Sequence, residues 1–242
     1  MKLQGKIAIV TGAAQGMGRG ISIKLAAEGA KVFVTSKESP DETVEYIRSQ
    51  GGIAEGAIAD ISKLEDIPAM FDACEAAFGK ADILVANAGI SLLVPIAEVT
   101  PDLFDQVYHT NARGTLFCLK EAGLRLNDGG HIVIISSSSV TNPVPGMCIY
   151  SSSKSAIQLM AAVAAQEFAP RKINVNVVQP GVTLTPNLKG GLPQEFLDDM
   201  VQKTAMKRLG TPEDIANVVA FYASDDSAWV TGRVILADGG VF

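Results

Sequence analysis

Seven short runs rich in β-branched residues alternate along the chain with longer stretches in which apolar positions recur at helical spacing. Lys6–Val10, Lys31–Thr35, Ile53–Ile58, Ile83–Ala86, His131–Ile135, Ile173–Val178 and Val234–Ala237 read as strands. Helix starts are marked by Ser39-Pro40-Asp41-Glu42, by Ser62 with Glu65 as a capping box, by Thr100-Pro101-Asp102 and by Thr211-Pro212-Glu213-Asp214. Gly29 stands where the first helix should stop. A helix between successive strands forces a crossover, so the strands should lie parallel and be covered on both faces, which explains why they are apolar almost throughout. The expected fold is α/β: a single domain over residues 1–242 with a doubly wound, parallel, seven-stranded sheet and helices on both faces. Ligands in such a sheet bind beyond the carboxyl ends of the strands. The segments after Val10, Thr35, Ala86, Ile135 and Val178 should therefore supply the site. The Gly/Pro-rich stretch from Gln179 to Pro193 reads as a long loop, and residues 183–207 as the segment that closes over a substrate.

Composition narrows the partners. Lys and Arg number 20 against 26 Asp and Glu, a net charge of −6 with no long run of either sign, which argues against nucleic acid and anionic membrane surfaces. The apolar run Ile7–Val10 is too short for a signal-peptide core, and Leu159–Ala165, between Gln158 and Gln166, is too short for a membrane span; a cytoplasmic protein is expected. Cys74, Cys118 and Cys148 are odd in number and far apart, and read as free thiols. His109 and His131 lack a nearby carboxylate or thiolate pattern, so no metal is expected.

After the first strand comes Thr11-Gly12-Ala13-Ala14-Gln15-Gly16-Met17-Gly18, with the spacing Gly-x3-Gly-x-Gly. Glycines there let the backbone turn sharply and approach a pyrophosphate at the amino end of the following helix, the arrangement of a Rossmann fold. An ordinary glycine-rich turn is the alternative, but a loop between a first strand and an amphipathic helix is the context that dinucleotide binding requires. Gly12, Gln15, Gly16, Met17 and Gly18 are the expected contacts. At the end of the second strand an NAD-binding protein usually carries a carboxylate for the ribose hydroxyls, whereas this chain has Thr35-Ser36-Lys37. A hydroxyl and a cation at Ser36 and Lys37 can hold a 2′-phosphate, which favours NADP(H). Glu38 next door, and the lack of charge at Gln15, keep NAD(H) open, as does reading Lys37 as a solvated surface lysine.

Three further motifs join the glycine loop: Asn87-Ala88-Gly89 after the fourth strand, Tyr150-Ser151-Ser152-Ser153-Lys154, and Ser137 thirteen positions before Tyr150. With Asp60, Asn111, Pro180-Gly181 and Asp238-Gly239-Gly240 in the same order, the sequence resembles the short-chain dehydrogenase/reductase family over nearly its whole length. The likeness is to 3-oxoacyl-[acyl-carrier-protein] reductases and polyketide naphthol reductases. It implies hydride transfer between a nicotinamide and a carbonyl or secondary alcohol, with Asn111, Ser137, Tyr150 and Lys154 as the catalytic set.

Residue chemistry supports that implication. Tyr150 and Lys154 stand at i and i+4, on one helix face, and a neighbouring ammonium should lower the phenol's pKa so that Tyr150 acts as acid in reduction and base in oxidation. Ser137 would polarise the same substrate oxygen, Lys154 would also hold the nicotinamide ribose, and Asn111, in the fourth helix, would anchor a water linking Lys154 to solvent. Each could have a blander role: a surface tyrosine, a loop serine, a salt-bridging lysine or a helix-interior asparagine.

The resemblance further assigns Asp60 and Ile61 to the adenine, Asn87, Ala88 and Gly89 to the adenosine-side ribose and phosphates, and Pro180, Gly181, Thr183 and Thr185 to the nicotinamide carboxamide. Asp60 could instead be a turn or cap aspartate. Ala86 departs from the asparagine that many members carry, and Thr183 from a common isoleucine.

For the substrate, Val144, Pro145 and Met147 and the segment Leu184–Phe196 should wall an apolar pocket suited to hydrophobic or flat cyclic ketones. A 3-oxoacyl reductase acting on acyl carrier protein is the leading named activity. It needs a basic landing surface to which Arg171-Lys172 could contribute and which Asn127-Asp128 weakens. A noncatalytic NADP(H)-binding redox sensor is the alternative from another class, and loss of Tyr150 or Lys154 would have favoured it. An epimerase or dehydratase would need a longer chain. Apolar faces around Leu116–Leu124 and Leu159–Phe168 suit contacts between subunits, and the resemblance implies a homotetramer; these stripes could equally face the core.

Overall fold

A computed structural model describes residues 1–186 and 194–241. It contains one parallel sheet of seven strands: β1 (Ile7–Thr11), β2 (Lys31–Ser36), β3 (Ile53–Ile58), β4 (Ile83–Ala86), β5 (His131–Ile135), β6 (Asn174–Pro180) and β7 (Val234–Ala237). Their spatial order is β3-β2-β1-β4-β5-β6-β7. The chain winds outward from β1 in one direction and from β4 in the other, so a crevice opens between the carboxyl ends of these two strands.

Residues alternate between the faces, and both faces are buried over the five inner strands, while the edge strands β3 and β7 keep most of their residues exposed. Ile9, Leu84, Ile132, Ile134 and Val175 pack beneath α3 (Asp66–Phe78), α5 (Thr115–Arg125) and α6 (Cys148–Glu167), through Ile67, Met70, Phe71, Leu119 and Ile157. Ala8, Val10, Val32, Val34, Val85 and Val178 face α1 (Gly16–Ala27), α2 (Asp41–Ser49) and the helix Pro212–Tyr222, through Ile21, Leu25, Ile47, Ile215 and Val219. Each fully buried aliphatic side chain contributes roughly 1.5–3 kcal/mol of transfer free energy. A one-residue slip would exchange the two sets and leave neither core filled.

The observed elements depart from the expected ones at particular places. β1 runs Ile7–Thr11, not Lys6–Val10. β6 runs Asn174–Pro180, so Gln179 and Pro180, expected in a loop, extend the strand by pairing with Leu236 and Ala237. The Ser62–Glu65 capping box does not form: the Ser62 hydroxyl donates to Asp60 Oδ1 (2.8 Å) and α3 begins at Asp66. Thr100 does cap α4 (Pro101–Tyr108), accepting from Leu103 N. Thr211 and Asp214 form a reciprocal capping box on Pro212–Tyr222, labelled α8, and Gly29, at φ 95°, follows α1. Within the segment expected to be a substrate loop, Gln194–Lys203 is helical (α7), and residues 187–193 lie outside the described part of the chain.

Candidate active site

The crevice is lined first by the glycine loop. Its helix, α1, starts at Gly16 after an extended Gln15; no described side chain caps it and no acidic residue sits in its first turn. The free N–H groups and positive dipole end therefore suit an anion. Gly12 has φ 64°, and a Cβ on it would lie 2.7 Å from Ala88 Cα; one on Gly18 would lie 2.4 Å from Gly12 O. Only glycine allows this close approach to the end of β4. Side chains hold the loop in place: Asn87 Nδ2 donates to Thr11 O (2.9 Å) and Gly12 O (3.0 Å), and Thr11 Oγ1 accepts from Asn87 N and Ala88 N, both at 3.1 Å. Thr43, from α2, donates to Ala13 O (3.0 Å). A dinucleotide pyrophosphate fits this cradle by its shape and its donors.

The other expected cofactor residues lie along the same edge. Ser36, half-buried, ends β2, with Lys37 exposed beyond it. Asp60 follows β3 with Oδ1 accepting from Ser62 N and Oγ, so it also has the turn role left open by the sequence, and Ile61 is buried beside it. Pro180 ends β6, Thr183 donates to Gly181 O (2.9 Å), and Thr185 Cγ2 stands 3.5 Å from where a Gly16 Cβ would be. The segment after β6 therefore lies against the start of α1.

The four catalytic candidates converge at the carboxyl ends of β4 and β5. Lys154 sits one turn after Tyr150 on α6, its Nζ 6.0 Å from the Tyr150 ring centroid and donating to Ile135 O (2.9 Å). It is 4% exposed, and burial lowers its pKa to about 8. A Cβ on Gly89 would lie 3.1 Å from both Lys154 Nζ and Asn111 Oδ1, so the bare glycine lets these two groups approach the end of β4.

Asn111 is not in a regular helix but in a π-helical turn, His109–Gly114, between α4 and α5. That extra winding turns its amide inward, where Oδ1 accepts from Ile90 N (2.9 Å) and Nδ2 donates to Ile90 O (2.9 Å) and Ser153 Oγ (3.0 Å). Asn111 thus clamps the chain after β4 onto α6.

The Tyr150 pKa runs against the sequence expectation: burial, the larger influence, raises it above an ordinary phenol, and the Ser137 hydroxyl pulls it back down. The Lys154 ammonium is not what offsets the burial.

Val144 and Met147, just before α6, are half-buried, and a Cβ on Gly146 between them would lie 3.0 Å from Leu93 Cδ1. Leu93 was missed by sequence reasoning, as were Thr11 and Thr43; a hydroxyl residue directly before the first glycine of the loop was the available signal for Thr11, and Thr43, in α2, had none. Arg171 and Lys172, by contrast, precede β6 and so sit at the amino ends of the strands, opposite the site. Arg171 is paired with Asp128 (2.8 Å) and donates to Gly123 O (2.7 Å). It cannot form a landing surface at the mouth.

Of the three free cysteines, burial raises Cys74 and Cys118 to about 12, while Cys148 is exposed. Among the described residues no cluster of His, Cys, Asp and Glu could hold a metal ion, and no helix is long and apolar enough to cross a membrane.

A family model described as enoyl-(acyl carrier protein) reductase, of the short-chain dehydrogenase type, matches residues 12–242. The chain is a short-chain dehydrogenase/reductase. An uncharacterized oxidoreductase from Methylorubrum extorquens is 41% identical over 99% of both chains. Tetrahydroxynaphthalene reductase from Pyricularia oryzae is 39% identical, covering 98% of this chain and 90% of its own. Among solved structures, a short-chain dehydrogenase from Burkholderia cenocepacia in complex with NADP superposes with a TM-score of 0.93 at 33% identity, over 99% of each chain. The chain is accordingly an oxidoreductase of this family, with the family's seven-stranded Rossmann sheet.

Proposed function

We propose that this short-chain dehydrogenase/reductase reduces flat cyclic ketones, with NADP(H) preferred and NAD(H) a weaker alternative. The observation that carries the reading is the meeting of Ser137, at the carboxyl end of β5, with Tyr150 and a buried Lys154 that donates to Ile135 O at the end of the same strand, while Val144 and Met147 lie just before Tyr150 in the chain. Bound NADPH would supply hydride to the carbonyl carbon. Tyr150 gives its phenolic proton to the carbonyl oxygen, and Ser137 donates a hydrogen bond to the same oxygen and holds it in place. Lys154 holds the nicotinamide ribose, and its charge favours the tyrosinate left behind. Asn111 keeps the chain after β4 in register and anchors a water that can return a proton towards Lys154. A redox sensor without turnover would not require this whole set.

The glycine loop, with Gly12, Gln15, Gly16, Met17 and Gly18, would hold the pyrophosphate. Asp60, Ile61 and Asn87–Gly89 would border the adenosine, and Pro180, Gly181, Thr183 and Thr185 the carboxamide. Assaying 2-tetralone, cyclohexanone, 9,10-phenanthrenequinone and ethyl acetoacetate with each cofactor, by nicotinamide absorbance, tests the substrate class. Fastest turnover of the bicyclic and tricyclic ketones supports the reading, whereas a preference for the 3-oxo ester would return the 3-oxoacyl activity to first place. The relative named as a tetrahydroxynaphthalene reductase and the position of Arg171 both favour the cyclic ketone.

Cofactor choice rests on Ser36 and Lys37 at the end of β2. Installing Ser36→Asp with Lys37→Ala puts a carboxylate where a 2′-phosphate would sit and removes a cation that would pair with it. The ratio of kcat/KM for NADPH to that for NADH should fall by about 10²-fold or more, since each charged contact is worth roughly 1.5–3 kcal/mol. An unchanged ratio would place phosphate recognition elsewhere.

A homotetramer, in a cytoplasmic setting, completes the proposal. Two separate apolar surfaces support it: the groove between α5 and α6, where Leu124 and Leu159 are 68% and 70% exposed, and the β7 edge with Trp229, which is fully exposed. Two distinct patches, each pairing with its own copy, would build a tetramer, where one would stop at a dimer. Leu119 and Ala122, on the same α5 stretch, do face the core.

A further inference from the structure

We infer that Ser139 is a positioning residue for the reaction, acting through Ser137 and backed by Ser151. This rests on the assignment of Ser137 made above. A seryl hydroxyl has one proton to give and two lone pairs to accept with. In this structure Ser137 Oγ accepts from Ser139 N (3.2 Å) and from Ser139 Oγ (3.0 Å), while Ser139 Oγ in turn accepts from Ser151 Oγ (2.9 Å).

Both acceptor positions of Ser137 are thereby filled from one side. Its single proton is left to point away from Ser139, free for the substrate oxygen that Tyr150 protonates. The chain Ser151→Ser139→Ser137 has a direction, and each donor polarises the next hydroxyl. Were it reversed, Ser137 would turn its proton away from the reacting oxygen.

The elements that supply these serines explain why the order is stable. Ser137 ends in extended backbone and Ser138–Val140 forms a short 3₁₀ turn, so the Ser139 N–H is fixed onto Ser137 Oγ by the turn itself. Ser139 is 7% exposed, and so meets little competition from solvent. Ser151 follows Tyr150 directly on α6, so one helix presents both the start of the chain and the phenol.

The test is a double-mutant cycle of Ser137→Ala and Ser139→Ala, run with whichever ketone of the panel above is reduced fastest. Ser139→Ala should lower kcat about tenfold, the effect of one lost hydrogen bond at the transition state, with KM and the fluorescence-titrated NADPH affinity unchanged. Its pH profile for alcohol oxidation should move to higher pH, because a weaker donor at Ser137 supports the tyrosinate less. In the Ser137→Ala background the same change should cost nothing further. Ser151→Ala, a change on the half-buried face of α6, should shift kcat and the profile in the same direction by less.

Unchanged kcat in both Ser139→Ala and Ser151→Ala would overturn the inference. So would a Ser139→Ala loss that is fully additive with Ser137→Ala, or one that tracks the loss of NADPH binding. Should Ser139→Ala fail to fold, the Ser151→Ala cycle with Ser137→Ala decides alone. If Ser137→Ala itself turns over at the wild-type rate, the assignment of Ser137 fails, and that result is separate from any behaviour of Ser139.

Discussion

Replacing Tyr150 with phenylalanine is expected to reduce ketone turnover by about 10²–10⁴-fold, the usual contribution of a positioned general acid, while NADPH binding persists. The ring stays, so its packing on α6 is retained, and only the proton donor is removed. The pH dependence should carry the same signature. Reduction needs the phenol protonated and oxidation needs it ionised, and burial holds this phenol above its ordinary range in the cofactor-free protein. The reduction rate should therefore stay flat through neutral pH and fall only on the alkaline side, with oxidation rising in the same window. Bound oxidised nicotinamide, which is cationic, should bring that limb to lower pH in the ternary complex. Steady-state kinetics in both directions, with fluorescence titration of NADPH, check this. Turnover within about tenfold of wild type would remove Tyr150 from the acid role.

The strands were legible because both faces of a parallel sheet are buried, and a run such as Ile83–Ala86 admits no other reading once helices flank it. The ends were less so. Thr11 looks like the start of the glycine loop, yet it pairs with Thr35 and closes β1, while its hydroxyl receives Asn87 and Ala88; backbone pairing and side-chain chemistry coincide in one residue. Ser62 and Asp60 compete for the same turn, and the carboxylate, the stronger acceptor, wins and displaces the helix start to Asp66. The π-helical turn at Asn111 is a winding change of the backbone and alters no apolar spacing strongly enough to be read.

The catalytic set was legible because Tyr150, Lys154 and Ser137 are tied by fixed spacing on two adjoining elements. Ser139 was not. Among four successive serines nothing local separates one from another, and only the packing of α6 against the segment after β5 brings Ser151 to Ser139. Leu93 was hidden for the same reason, since its neighbour Gly146 lies on a different loop. Arg171 shows the opposite failure: a cation counted as available in the sequence is tied to Asp128 at the far end of the sheet.

Replacing Lys154 with methionine is expected to separate stability from function. The ammonium is buried with Ile135 O as its backbone acceptor, and burial brings its pKa down to about 8. Between about 8 and the ordinary lysine value the folded chain binds fewer protons than the unfolded one, so this group's contribution to stability improves as pH rises through that window and is least favourable below it. Methionine, similar in volume and without charge, removes that burden. The variant should melt no lower than wild type at pH 7, and the difference between the two should shrink at pH 10.

Function should move the other way. Losing charged hydrogen bonds to the ribose should weaken NADPH binding by about 10–10²-fold, and losing the cation beside Tyr150 should lower turnover further. The wild-type protein should show a milder form of the same defect as pH rises past about 8 and Lys154 loses its proton, with NADPH affinity declining there and not in Lys154→Met. Thermal melts at both pH values and NADPH titrations from pH 6 to 10 read these effects separately. A variant that unfolds readily at pH 7, or that binds NADPH as tightly as wild type, would show that Lys154 serves the packing of α6 and not the cofactor.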